Sequence, residues 1–140
     1  MTSMAKIFRN RSGSAAVEFA IVAPVFILVL LTMIAYGIYL SAAYAVQQVA
    51  ADAARTAVAG ITRIEREILA KNFVDQSALN YAFLDKNRVN VSVGSDPANI
   101  NQFTVTVEYD ATELPIWSLY TFALPDKTIR RFSTIRIGGI

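Results

Sequence analysis

The alternation of apolar and polar positions divides the chain into three regimes. Residues 19–40 form an apolar run broken only by Pro24, Thr32 and Gly37, and no charge occurs between Glu18 and Asp52. A helix over residues 19–40 is about 33 Å long at ~1.5 Å per residue, enough to cross a hydrocarbon core of about 30 Å. The pattern therefore predicts a membrane-spanning helix. Two rivals share it. A cleaved secretory signal would use Ala43-Tyr44-Ala45 as its small-x-small site, but its apolar core usually runs about 7–15 residues. The other rival is a buried helix of a soluble protein. Pro24 lacks the N–H that would reach the carbonyl of Ala20, which predicts a bend or a locally opened turn early in the run.

Beyond the apolar run the helical pattern continues. Residues 41–59 are rich in alanine, and Val46, Val49, Ala50, Ala53 and Ala57 fall on one small-residue face. Such a face lets another backbone approach closely, as in helix–helix assembly, or it covers this chain's own sheet. Asp52 and Arg55 are spaced to pair at i, i+3. Gly60 suits the position just past a helix end. A single helix over residues 14–59 would measure about 69 Å.

Thr62-Arg63-Ile64-Glu65 has the spacing of a capping box, so a second helix should start there. Ile64, Ile68, Leu69 and Phe73 would be its apolar stripe, and Arg63, Arg66, Glu67 and Lys71 its wet face. The period then changes from 3.6 to 2. Val89, Val91 and Val93 alternate with polar residues, as do Phe103, Val105, Val107 and Tyr109. Ile129, Ile135 and Ile137 share a face in a third segment. Gly94-Ser95-Asp96-Pro97 reads as a turn. These predict a three-stranded antiparallel meander with one face against helix. Residues 114–124, which join the second and third strands, are too apolar for an uncovered loop. The second helix, the membrane interface (where Trp117 and Tyr120 would sit well), a partner subunit or the chain itself could cover them.

The expected fold class is α+β: a long N-terminal transmembrane helix extending outward, a second helix and a small three-stranded antiparallel sheet. The expected organisation is a leader at 1–13, a transmembrane and extended helix at 14–60, and a small α+β domain at 61–140.

Composition changes this picture in three ways. The chain has 140 residues, 54% hydrophobic, with a formal net charge of +2. Lys6, Arg9 and Arg11 precede every acid, and from Ser14 onward ten basic residues face eleven acidic ones. The positive charge thus marks topology, with the N-terminus cytoplasmic and the bulk of the chain outside, and not a nucleic-acid footprint. There is no cysteine and no histidine, which removes disulfides, thiolate sites and the commonest general base and zinc ligand. Asp85, Asp96, Asp110 and Asp126 fall in turns or strand ends, where turn acids are the default. No enzyme, cofactor or metal is expected.

Glu18 is the sharpest single signal. An acid at mid-bilayer costs about 2.5–3.5 kcal/mol on insertion scales and less near an interface. One reading is a first-turn acid favoured by the helix dipole. The other is a charge read by a partner or an enzyme. Gly13, between the basic leader and the apolar helix, is placed to be cut in extended form.

At these residues the chain resembles a known family. Gly13, with Glu18 five residues on and Phe19 opening an apolar helix, matches the type IV prepilin processing motif. Val17-Glu18-Phe19-Ala20, Pro24 and Ala53-Ala54-Arg55-Thr56-Ala57 bring it closer to TadE-like proteins of the Tad (Flp-type) pilus system. The family often carries an acid before an aromatic residue and glycine late in the apolar segment. This chain has Ala35-Tyr36-Gly37 there, so no second intramembrane charge carries over.

The resemblance implies a pilin-like minor pilin or pseudopilin serving biogenesis of an adhesive pilus. It implies cleavage between Gly13 and Ser14 by a prepilin peptidase, with Glu18 and Phe19 completing the processing site. Assembly with other pilin-like subunits and the Tad machinery would use Glu18, Pro24 and the face of Val49, Ala50, Ala53 and Ala57. The expected location is the bacterial inner membrane, in a single pass through its lipid, with the C-terminal domain periplasmic. No nucleic acid is expected as a partner. The alternative is an uncleaved, signal-anchored envelope protein whose outer domain binds or scaffolds a partner; a membrane-tethered enzyme stands third.

Overall fold

The computed structural model describes residues 11–77, 81, 83–119 and 124–138. Helix α1 spans Arg11–Ala57 and helix α2 spans Arg63–Ser77. Strands β1 (Val89–Asp96), β2 (Asn99–Asp110) and β3 (Thr128–Arg136) follow and pair antiparallel in the order β1-β2-β3. This is the α+β architecture expected from the sequence.

Helix α1 has two environments. No residue of segment 13–34 is buried. Burial begins at Ala35, 1% exposed, and recurs at Ala42, Ala43, Val46, Val49, Ala50, Ala53, Ala54 and Ala57. These small side chains bring the sheet and α2 against the helix, since β2, β3 and α2 all pack on α1. Of the two readings of the alanine face, own-sheet packing is the one observed. Val49, Ala50, Ala53 and Ala57 lie inside this chain's core, so they have no surface left for a neighbouring subunit. The same packing divides the apolar run of residues 19–40, because Ala35, Ile38 and Tyr39 belong to the domain. The bare part, residues 13–34, is about 33 Å long.

The helix ends differ from expectation. Helix α1, described from Arg11, already includes Gly13, and it ends at Ala57, where the N–H of Gly60 donates to the Ala57 carbonyl at 3.1 Å. Gly60 does not adopt the left-handed conformation of a helix stop; among the described glycines Gly138 does, at φ +98. Its smallness serves a close approach instead. A Cβ at Gly60 would stand 2.8 Å from the backbone nitrogen of Arg66.

The capping box forms as expected. Glu65 N–H donates to Thr62 Oγ1 at 3.2 Å, while Thr62 N–H and Ile61 N–H donate to Glu65 Oε2 at 3.0 and 2.9 Å. The apolar stripe of α2 is rotated from the one expected. Ala70 and Val74 are buried and Leu69 and Phe73 half-buried, whereas Ile64 and Ile68 are 71% and 53% exposed. Arg66 takes the inward position one turn before Ala70. Its guanidinium lies 4.8 Å from the Phe103 ring centroid, and its Nε donates to the Gly60 carbonyl at 2.9 Å. An arginine stem covers apolar surface while its head finds a carbonyl and a ring face.

In the sheet, Val91, Val93, Phe103, Val105, Val107, Tyr109 and Ile129 are buried on the helix-facing side. Strand β1 runs through Gly94, Ser95 and Asp96, which the sequence suggested as a turn. The turn is instead Pro97-Ala98, with a register shift between Ser95 and Asp96. The outer strands are each engaged by a helix side chain. Arg63 Nε donates to the Val93 carbonyl at 3.1 Å, and Gln47 Nε2 to the Phe132 carbonyl at 3.3 Å. Such contacts blunt edges that would otherwise pair with another chain.

The apolar connection after β2 folds back as short 3₁₀ turns at Ala111–Glu113 and Pro115–Ser118. Leu114 and Ile116 are buried, and the second turn packs on α1. Trp117 is half-buried, with its indole N–H donating to the Ala111 carbonyl at 2.6 Å. Tyr120 lies outside the described residues.

Candidate functional site

The candidate site is the bare half of α1. Gly13, Ser14, Glu18, Phe19 and Pro24 follow one another along its first turns, all exposed. Val49, the nearest of the four small-face residues expected for assembly, lies about 46 Å further along the helix axis from Glu18. The structure therefore does not gather the residues expected for processing and assembly into one site. The first group is accessible and the second is core.

Two local readings change. Gly13 is inside the helix, not in front of it. The Gly13–Ser14 peptide bond is helical, and a protease that needs an extended backbone must first unwind that turn. Glu18 is not a first-turn acid, for the first turn of α1 carries none. The dipole effect fades within the first turn, so it offers Glu18 little in the uncut helix. A cut after Gly13 would bring Glu18 within five residues of the new terminus. Ser14 Oγ stands 3.5 Å from Glu18 Oε1, at the outer limit of a hydrogen bond. The two side chains share one face, a turn apart.

The bare helix suits an apolar surround. Thr32, its one hydroxyl after Ser14, donates to the Leu28 carbonyl at 2.8 Å, so no donor is stranded. Pro24 sits within the helix, and Ala20, Ala23, Pro24, Ile27, Leu28 and Leu31 line a shallow apolar groove there. The groove follows from small residues next to a ring on one face. It holds no polar side chain that could orient a small substrate.

The turn aspartates behave as turn acids. Asp85, Asp96, Asp110 and Asp126 accept from the backbone N–H two residues on, in Asn87, Ala98, Thr112 and Thr128. Hydrogen bonds from Thr112, first its side chain and then its backbone, hold the Asp110 carboxyl below the usual range, with Arg88 adding to the effect. Arg88 bridges Asp110 at 3.1 Å and Glu113 at 2.9 Å. These groups close the start of β1 onto the end of β2. They are joints between strands and turns.

Besides Arg66 on Phe103, sequence reasoning missed a second cation–ring pair. Lys127 Nζ lies 5.6 Å from the Trp117 ring centroid. Ten residues separate the two in sequence, and only the fold of the connection brings them together.

No curated protein and no solved structure matches the chain. A family model does, over residues 13–55, and its description is TadE-like protein. That segment holds the bare helix, Gly13, Glu18 and Pro24, and most of the half of α1 that carries the domain. Over residues 13–55, about a third of its length, the chain is similar to the TadE-like family.

Proposed function

We propose that this protein is a minor pilin or pseudopilin of a Tad-type adhesive pilus. The TadE-like segment points to a pilus-related role, and one observation carries the reading further. An exposed apolar helix about one bilayer long, opening on Gly13 and Glu18, continues without a break into the spine of a small α+β domain. A helix that is apolar on all sides needs lipid or other helices around it. In this reading the chain enters the inner membrane with its N-terminus cytoplasmic and its domain periplasmic. A prepilin peptidase cuts between Gly13 and Ser14. The mature helix then passes from lipid into a bundle with other pilin-like subunits of the Tad machinery. The chain acts as a structural subunit, without catalysis of its own.

Glu18 has a defined part here. Cleavage frees the amine of Ser14, and a carboxylate among apolar helices is tolerated when it meets such a cation. Stranding either charge costs several kcal/mol, about 3–5 when one partner of a buried pair is removed. The pair therefore sets axial register between subunits more than it adds stability.

Intact mass after co-expression with a prepilin peptidase tests the processing step. The mature protein should be lighter by residues 1–13, and Gly13→Leu should stay at full mass. If the wild-type chain keeps its full mass beside an active peptidase, the uncleaved, signal-anchored alternative takes its place. For the register role, Glu18→Ala should be cut normally yet assemble poorly. Normal piliation with that variant would remove it.

A further inference from the structure

We propose that the end of the domain that carries Trp117 is a membrane-contacting surface, seated in the interface of the same bilayer that α1 crosses. The inference rests on the membrane-anchor reading of residues 13–34.

The argument begins with direction. Arg66 lies over Phe103 and bonds to Gly60, so the start of β2 is beside the far end of α1. Gln47 donates to the Phe132 carbonyl, and Phe132 pairs with Thr106, three residues past Phe103, so the sheet descends along α1 from Gly60 past Gln47 and the start of β3 lies toward the near end of the packed helix. Tyr109 pairs with Ile129 at that same end. Strand β2 thus runs back toward the bare helix, and the Ala111–Ser118 connection closes the domain there. The Ala111 N–H donates to the Lys127 carbonyl at 2.8 Å, and the Ala111 carbonyl accepts from Trp117.

Length fixes the position of that end. Residues 13–34 use about 33 Å of helix, one hydrocarbon thickness, before the domain begins at Ala35. No spacer separates the last bare turn from the first buried residue. With the bare half across the bilayer, the Trp117 end is held at the headgroup level. Its chemistry fits that level. Trp117 offers an amphipathic ring with its N–H already satisfied, Lys127 caps the ring with a cation, and Tyr36 and Tyr39 lie on the turn of α1 where burial begins. Aromatic rings with a nearby lysine are the residues that favour a bilayer interface. Asp126 sits next to Lys127, so the contact depends on the interface itself and not on anionic lipid.

The chain supplies its own reporter, since it has one tryptophan. The full-length protein is reconstituted in phosphatidylcholine vesicles whose acyl chains are brominated either near the headgroup or near the chain terminus. Flotation with the vesicles after carbonate washing reports the anchor separately. The expected result is flotation, with loss of Trp117 emission that is greater for shallow than for deep bromine. A second reporter, Ile100→Trp in a Trp117→Phe background, should show no loss. Ile100 is 90% exposed at the opposite end of β2, about 33 Å along the strand from Asp110. Flotation with Trp117 unquenched overturns the inference and leaves the anchor standing. Equal quenching of both reporters overturns it too, because the whole domain would then lie on the surface. Failure to float removes the anchor and the inference with it.

Discussion

Gly60→Ala should destabilise the domain, while the same change at Gly37 should not. At position 60 the new Cβ would meet the Arg66 backbone nitrogen at 2.8 Å, its Cα at 3.1 Å and its Cγ at 2.9 Å. Ordinary contact begins near 3.4 Å, so the Arg66 backbone must retreat by about 0.6 Å. It is poorly placed to do so. The Arg66 N–H is bound to the Thr62 carbonyl at 3.0 Å, in the turn that the capping box fixes. Retreat also stretches the bond from Arg66 Nε to the Gly60 carbonyl and lifts the guanidinium from Phe103. Overpacking of this kind costs about 1–3 kcal/mol. The stiffer unfolded chain returns about 0.4–1 kcal/mol. The net loss is about 1–2 kcal/mol, which lowers a urea midpoint by roughly 0.5–1 M for a small domain. Gly37 lies in the interior of α1 with no atom within 4 Å of a built Cβ. There alanine should leave the midpoint unchanged or raise it. Urea unfolding of the full chain in lipid nanodiscs, followed by Trp117 fluorescence, compares the three proteins directly. A midpoint for Gly60→Ala equal to or above the wild type would show that close approach is not why glycine stands there.

Two further outcomes follow from the same set of contacts. Hydrogen bonds from the backbone N–H of Thr62, then of Ile61, hold the Glu65 carboxyl below its usual range, so Glu65 supports the fold above the unfolded value of about 4.3 and loses that support as pH falls through its folded value. A pH series of urea midpoints should show a shallower acid decline for Glu65→Gln, which keeps the cap's shape but does not titrate. Tyr109 Oη donates to the Phe83 carbonyl at 2.8 Å, and Phe83 is held at φ 72, in the left-handed region. Tyr109→Phe should cost about 1 kcal/mol in the same denaturation and increase proteolytic cutting beside Phe83.

The parts of the fold that were legible in sequence rest on neighbours along the chain. The capping box needs only Thr62 and Glu65 three residues apart. The strands need only alternation, and the turn aspartates need only the N–H two residues on. The likeness of residues 13–55 to TadE-like proteins was legible for the same reason, since Gly13, Glu18, Phe19 and Pro24 lie in one short stretch. The face of α2 was not. Ile64 and Ile68 are the more apolar residues, yet Arg66, Ala70 and Val74 face inward, because Phe103 and the Gly60 carbonyl await the arginine and only small residues fit beside α1. The role of Gly60 was hidden in the same way, since it depends on how closely α2 returns.

By itself the sequence determined a long apolar helix with a marked entrance and a small α+β domain behind it, because hydropathy, capping and period are local properties. Only the tertiary structure decided where that helix stops being free. Residues 35–40 carry no charge and continue the apolar run, so no local break marks where burial begins. Ala35 is buried only because distant parts of the chain pack on α1, where it joins one core with residues of the sheet and of the connection after β2. That packing divides α1 into a bare segment about one bilayer long and a core spine.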